Sequence, residues 1–311
     1  MIRSTLFIAL LIVAGPAWCQ ESGNTPEEIT AVRVETLAAE VDGGSGGVAV
    51  DADGNVYTAD FGSQLGRGGT GGHRVYRITP DGDVSLFCEE MRGASGNCFD
   101  AEGNLFQSNI GGNKISRVAP DGTVTDFCSE GLTNPVGIII DDEGTLFVGN
   151  CGSSSIQRIT ADGESTQFVK SNLLKCPNGI TRDDAGNLYV ANFYNGDVVK
   201  ITPNAEASVL ATLPGNNNGH LTYRGGYLYV VARTANQIYR VSLDGDMELF
   251  AGSGTRGKDD GAPAEATFSL PNDLAFSPDG QFLYVNEVGP IEGNPRVLAP
   301  TRVRRIVVNQ E

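Results

Sequence analysis

Amide and carboxylate side chains fall at two fixed offsets along this chain. The offsets are set against six glycines, Gly54, Gly103, Gly144, Gly186, Gly226 and Gly280. Eight residues before them stand Gly46, Ser95, Val136, Asn178, Asn218 and Asn272. Six or seven residues after them stand Asp60, Asn109, Asn150, Asn192, Ala232 and Glu287. Asn carbonyls and carboxylates are the hard oxygen donors that calcium or magnesium takes. Asp60, Asn178, Asn192, Asn272 and Glu287 are therefore the candidate metal ligands, with calcium the expected ion. Asp273 and Glu287 supply carboxylates for catalysis, and His220 is a further candidate base. Asn109, Asn150, Asn218 and Arg233 are the candidates for contact with a small-molecule substrate. A structural use competes with all of this, because Asn at strand ends also bonds loop backbone.

The elements that would carry these side chains repeat with the glycines. Each unit reads as an apolar run, a turn such as "DADG", "DAEG" or "DDAG", a second run ending in the polar position, and a third run such as "RVYRITPDG". Most units then add a fourth run, such as "VSLFC" or "STQFV". Four short strands joined by tight Asp-Gly turns, six times over, predict an all-β fold, a six-bladed β-propeller of four-stranded antiparallel blades. The last unit lacks a fourth strand, and "ITAVRVETLA" near the N-terminus is an orphan. Pairing the two closes the ring and removes two open sheet edges.

A propeller brings both sets of offsets to one mouth of the axial channel, with the first and last blades as neighbours. The acids of the turns open on the other face, where turn conformation alone accounts for Asp and Gly. Three long connections, 61–73, 251–270 and 288–301, are expected over the junction of the last and first blades, as a lid or pocket wall or as tolerated insertions.

Composition limits the partners. A formal net charge of -16 argues against nucleic acid, whose phosphates need a basic surface. "MIRSTLFIALLIVAGPAWCQ" reads as an export signal over 1–19, followed by a short linker, 20–28, and one propeller domain, 29–311. The mature protein is expected to be secreted or periplasmic, free of the membrane, and monomeric. Cys151 and Cys176 flank adjacent rim positions and are expected to pair. Cys88–Cys98 is the second expected bridge, leaving Cys128 over.

The blade pattern resembles the senescence marker protein/gluconolactonase family and its NHL-repeat relatives, over essentially the whole mature chain. "GSGTRGKDDGAPAEATFSLPNDLAFSPDG" is close to an NHL signature. "PNG" at 177–179 and "PND" at 271–273 sit where gluconolactonase-like enzymes place metal-binding residues. The resemblance implies hydrolysis of a lactone or ester with a divalent cation. Asn178 and Asn272 would be ligands, and Asp273, Glu287 or Asp60 a ligand or the base. Gly46 stands where that family carries an acidic ligand, a departure from its pattern. "GNKISRVAPDGTVTDF" also resembles streptogramin lyases, which open a cyclic peptide ester by elimination with a His and a Glu. His220 lies near such a place, but its partner position holds Ala232, followed by Arg233. A non-catalytic binding propeller is the third reading, since fold alone does not decide among them.

Overall fold

The computed structural model describes residues 28–63, 72–289 and 296–310; the export signal expected at 1–19 lies outside them. Six four-stranded antiparallel sheets follow one another around an axis. Blades 1 to 5 comprise 45–88, 94–128, 135–170, 177–212 and 221–251, each running in chain order from axis to rim. Blade 6 takes its three inner strands from Leu274–Phe276, Phe282–Val288 and Thr301–Gln310. Its outer strand is Ile29–Val41, paired antiparallel from Ile29↔Gln310 to Val41↔Thr301. The orphan N-terminal run thus closes the ring as expected. No helix among the described residues is long and apolar enough to cross a membrane.

The register glycines are conformational. Gly54, Gly103, Gly144 and Gly186 all hold φ near 80°, which L side chains enter only with strain. The leading acid of each turn is spent locally. Asp51 Oδ1 accepts from Asp53 N and Asn55 N, and Asp141 Oδ1 from Glu143 N and Thr145 N.

Apolar clusters fill the spaces between adjacent blades. Tyr57 of blade 1 meets Phe87 of its own outer strand and Phe99 of the next blade edge-on, at 4.8 and 5.0 Å. Tyr229 repeats the arrangement with Phe250 and Phe276, both at 4.9 Å. Edge-to-face pairs of this kind add about 0.5–1.5 kcal/mol each beyond burial.

Near the axis the blades touch through backbone. One position of the inner strand is Gly47, Gly96, Gly137, Gly179 and Gly219 in blades 1 to 5. A Cβ there would stand 2.4 Å from Ser95 O, 2.6 Å from Val136 O, 2.4 Å from Asn178 O, 2.5 Å from His220 Cα and 2.1 Å from Asn272 O, respectively. The sixth blade breaks the pattern with Asp273.

Cys151 and Cys176 form the expected disulfide, which is compatible with export. The Cys88–Cys98 bridge does not form; both are thiols, as is Cys128. Cys88 faces the cluster between blades 1 and 2, whereas Cys98 faces the one between blades 2 and 3, so the sheet of blade 2 separates them. Removing the Cys151–Cys176 bridge, which spans 25 residues, is expected to cost about 3 kcal/mol, read as a lower denaturation midpoint for the Cys151→Ser, Cys176→Ser protein.

Candidate functional site

The second set of polar residues is a repeated clamp. Asn109 Oδ1 accepts from Arg92 N at 2.9 Å, Asn150 Oδ1 from Thr133 N at 3.0 Å, and Asn192 Oδ1 from Lys175 N at 2.9 Å. Asn150 Nδ2 and Asn192 Nδ2 donate back to Gly131 O and Leu173 O. Each amide ties the segment entering a blade to the end of that blade's second strand. Asn150→Ala orphans a backbone donor and an acceptor together, so we expect a loss of about 1–3 kcal/mol in urea unfolding.

Asp60 and Glu287 occupy the same clamp position in blades 1 and 6. Asp60 Oδ1 accepts from Gly44 N at 2.7 Å and Gly62 N at 2.9 Å. Glu287 is fully buried: Oε2 accepts from Ser269 N at 2.7 Å, and Oε1 takes Arg302 and Arg304, each at 3.1 Å. The two stand at corresponding ends of adjoining blades, but no described bond links them. Among the described residues no three His, Cys, Asp or Glu side chains are grouped to hold a metal ion. Of the five expected ligands, Asp60, Asn192, Asn272 and Glu287 each have an oxygen that accepts from a backbone amide or an arginine, and Asn178 Oδ1 has no described bond. Arg233 is likewise occupied, donating to Leu270 O, Pro271 O and Asn272 Oδ1, rather than standing open to substrate.

The mouth itself is a pocket of about 400 Å³. Its floor includes Ser95, Val136, Asn178 and Asn272, four of the six first-offset residues. Its wall includes the residue after four of the six clamp positions, Phe61, Ile110, Cys151 and Phe193, together with Arg296. Tyr194 beside them is 68% exposed. Asn272 is held by Arg233 and by donation to Gly46 O at 2.8 Å, and Asn178 Nδ2 donates to Asn218 O. Asn218 turns away, its Nδ2 donating to Asp197 O. Of the three long connections, 251–270 contributes nothing to the wall. It is sewn down at the rim, where Gly261 pairs with Val34 of the outermost strand.

Deeper on the axis lies the one close pair of titratable groups that the sequence reading named separately. His220 Nδ1 is 3.3 Å from Asp273 Oδ2, and both residues are 5% exposed. Asp273 also accepts from Val48 N and Leu274 N. Both line a cavity that opens on the turn face, not the mouth pocket. Burial pushes the His220 imidazole below its usual pKa, and Asp273 opposes this while Arg233 assists it; burial pushes the Asp273 carboxyl up. The folded imidazole therefore takes up its proton at lower pH than the unfolded one. Its contribution favours the fold above about pH 6.5 and is lost as pH falls below that value. In an NMR titration we expect its ring to stay neutral at a pH where an exposed imidazole is charged.

Sequence reading missed Gln107 and Asn286, both fully buried near the axis. Asn286 Nδ2 donates to Gly46 O at 2.9 Å, binding blade 6 to blade 1. A polar residue two positions short of the clamp in blade 2, and the residue just before it in blade 6, were the available signals.

A family model of the virginiamycin B lyase family matches residues 56–291. The chain belongs to this family. The match falls on the lyase resemblance; neither the senescence marker protein family nor NHL character is found. A search of curated protein sequences found no match. Among solved structures, virginiamycin B lyase from Staphylococcus aureus is similar at TM-score 0.62 and 16% identity, over 90% of this chain and 100% of that one. A gluconolactonase from Xanthomonas campestris is similar at 0.67 and 18%, over 91% and 95%. A Bacteroides thetaiotaomicron protein of unknown function is similar at 0.72 and 15%, over 91% and 77%. At these identities the likeness is one of fold. The virginiamycin B lyase family supplies the frame, and chemistry must be argued from this chain's own residues.

Proposed function

We propose that the mouth pocket binds a small, uncharged, ring-shaped molecule bearing a lactone or ester, and that it holds this ligand without hydrolysing it. The carrying observation is the engagement of Asp60 and Glu287. The carboxylates that would serve as ligand or base are spent on backbone amides and arginines. What remains at the mouth is aromatic and aliphatic wall with the Cys151–Cys176 disulfide, and Ser, Asn and the partnered Arg296 to orient a carbonyl. Phe193 and Tyr194, edge to face at 5.6 Å, offer a ring-sized apolar surface. The protein acts as an exported monomer.

A second reading is turnover of the ester by elimination, favoured by membership of a lyase family and by the His220–Asp273 pair. In that case the ester enters the turn-face cavity, where His220, oriented by Asp273, takes a proton from the carbon next to the one that bears the ester oxygen; a C=C bond forms as the C–O bond breaks, and the carboxylate departs. Calorimetric titration with a panel of lactones and cyclic esters, with ring opening followed in parallel, separates the readings. We expect saturable binding that weakens about tenfold in Tyr194→Ala, with no ring opening. Ring opening abolished by His220→Asn would establish the lyase. Ring opening abolished by a chelator would restore the metal-assisted hydrolase, against our expectation that EDTA leaves both binding and melting temperature unchanged.

A further inference from the structure

The cavity on the turn face has its own unmet hydrogen-bonding needs. It measures about 320 Å³, at the lower end of the range of roughly 300–1,000 Å³ for small-molecule pockets. Three of the polar atoms on its walls are buried without a partner: His220 Nε2, Asn97 Oδ1 and Arg224 Nε. His220 and Asn97 are each more than nine-tenths buried. Buried polar groups are normally paired, so three orphans on one cavity call for a molecule that pairs them.

The polarity of each orphan is fixed by its neighbours. Gln107 Nε2 donates to three carbonyls, Ser95 O, Gly96 O and Ser108 O, at 2.9 to 3.1 Å. Its Oε1 must therefore accept, and it takes Asn97 Nδ2 at 3.2 Å. Asn97 Oδ1 is left as a bare acceptor. On the opposite side Asp273, an acceptor from two backbone amides, fixes the proton on His220 Nδ1 and leaves Nε2 bare. Asn97 and His220 occupy the same inner-strand position in blades 2 and 5, three blades apart around the ring. In the other four blades that position is apolar: Val48, Ile138, Ile180 and Leu274. Arg224, stacked on Phe276 at 5.3 Å, brings a donor nearer the opening.

We propose that this channel binds a neutral polyol or sugar, entering from the turn face. Two acceptors and one donor match hydroxyl groups, which give a hydrogen to His220 Nε2 and Asn97 Oδ1 and take one from Arg224 Nε. A carboxylate brings no hydrogen to the two acceptors, and an ammonium takes none from the arginine. The cavity is distinct from the mouth pocket, on which the proposal does not rest.

The chain contains two histidines, His73 and His220, so imidazole nitrogen NMR resolves the site directly. Titration with glucose and with xylitol is expected to shift the His220 resonances saturably and leave those of His73 unmoved. Asn97→Leu, matching the aliphatic residues at that position in other blades, should weaken the effect about tenfold. Arg224→Lys, which keeps the charge and removes the Nε–H, should weaken it too and serves if Asn97→Leu does not fold. No saturable shift up to the solubility limit would mean that the channel holds water only, and would overturn the proposal. So would a shift unchanged in both variants, or tighter binding of a diamine of similar length.

Discussion

Glu287→Ala is expected to destabilise the protein by about 3–5 kcal/mol in chemical denaturation, because it strands two arginines in the interior. Arg304 has no exposed side-chain surface and Arg302 only 10%. Arg304 donates to Glu287 Oε1, Thr267 O, Asp259 O and Asp260 Oδ1 and stacks on Phe268 at 5.3 Å. This one guanidinium fastens the 251–270 connection to the last strand of blade 6. Asp260 is half exposed, so it cannot replace Glu287 as the buried counter-charge. Glu287→Gln should recover part of the loss, since it keeps an acceptor for Ser269 N while removing the charge. If Glu287 were instead a ligand or base at the mouth, Glu287→Gln would leave the denaturation midpoint in place and remove activity alone. A midpoint within experimental error of wild type for both variants would sink the ion-pair account.

The same residue shows where sequence reading stops. Glu287 at the end of a second strand is legible from the repeat, and so is its nearness to blade 1. Which way its carboxylate is spent depends on Arg302 and Arg304, fifteen and seventeen residues on, whose burial no local pattern announces. Asn109, Asn150 and Asn192 teach the converse. Their recurrence at one offset suggested substrate contacts at Asn109 and Asn150 and a metal ligand at Asn192, but a repeated position serves a repeated structural need first, here the clamp on each entering segment. His220 and Asp273 belong to different blades and different offsets. Packing of consecutive blades makes them neighbours, and both line the cavity on the turn face. The Cys88–Cys98 bridge failed for a related reason: nearness along the rim says nothing about which face of a sheet a side chain takes.

Gly219→Ala should be the costliest of the five glycine changes at this inner-strand position, about 3 kcal/mol or more, and Gly137→Ala should come close behind it. Neither glycine holds a left-handed φ, so backbone strain does not enter, and alanine would reduce the freedom of the unfolded chain. The cost is steric: the new Cβ meets a carbonyl oxygen of the next inner strand at 2.1 Å for Gly219 and 2.4 Å for Gly137. Backbone of a closed ring cannot step aside without shifting every other blade. Gly54→Ala is the contrasting case, with its nearest contact the Pro80 ring at 3.8 Å and a φ of 82°, so it should cost about 1 kcal/mol through conformation alone. Urea unfolding of the three variants side by side tests whether inner-strand contact sets the size of the ring. Equal losses for Gly219→Ala and Gly54→Ala would refute it. The seam between blades 6 and 1 has Asp273 where the other blades have glycine. Donation from Val48 N to Asp273 Oδ2, and from Asn272 Nδ2 and Asn286 Nδ2 to Gly46 O, does there what direct backbone approach does elsewhere. That substitution is what gives the axis its only carboxylate at this level, and with it the fixed tautomer of His220.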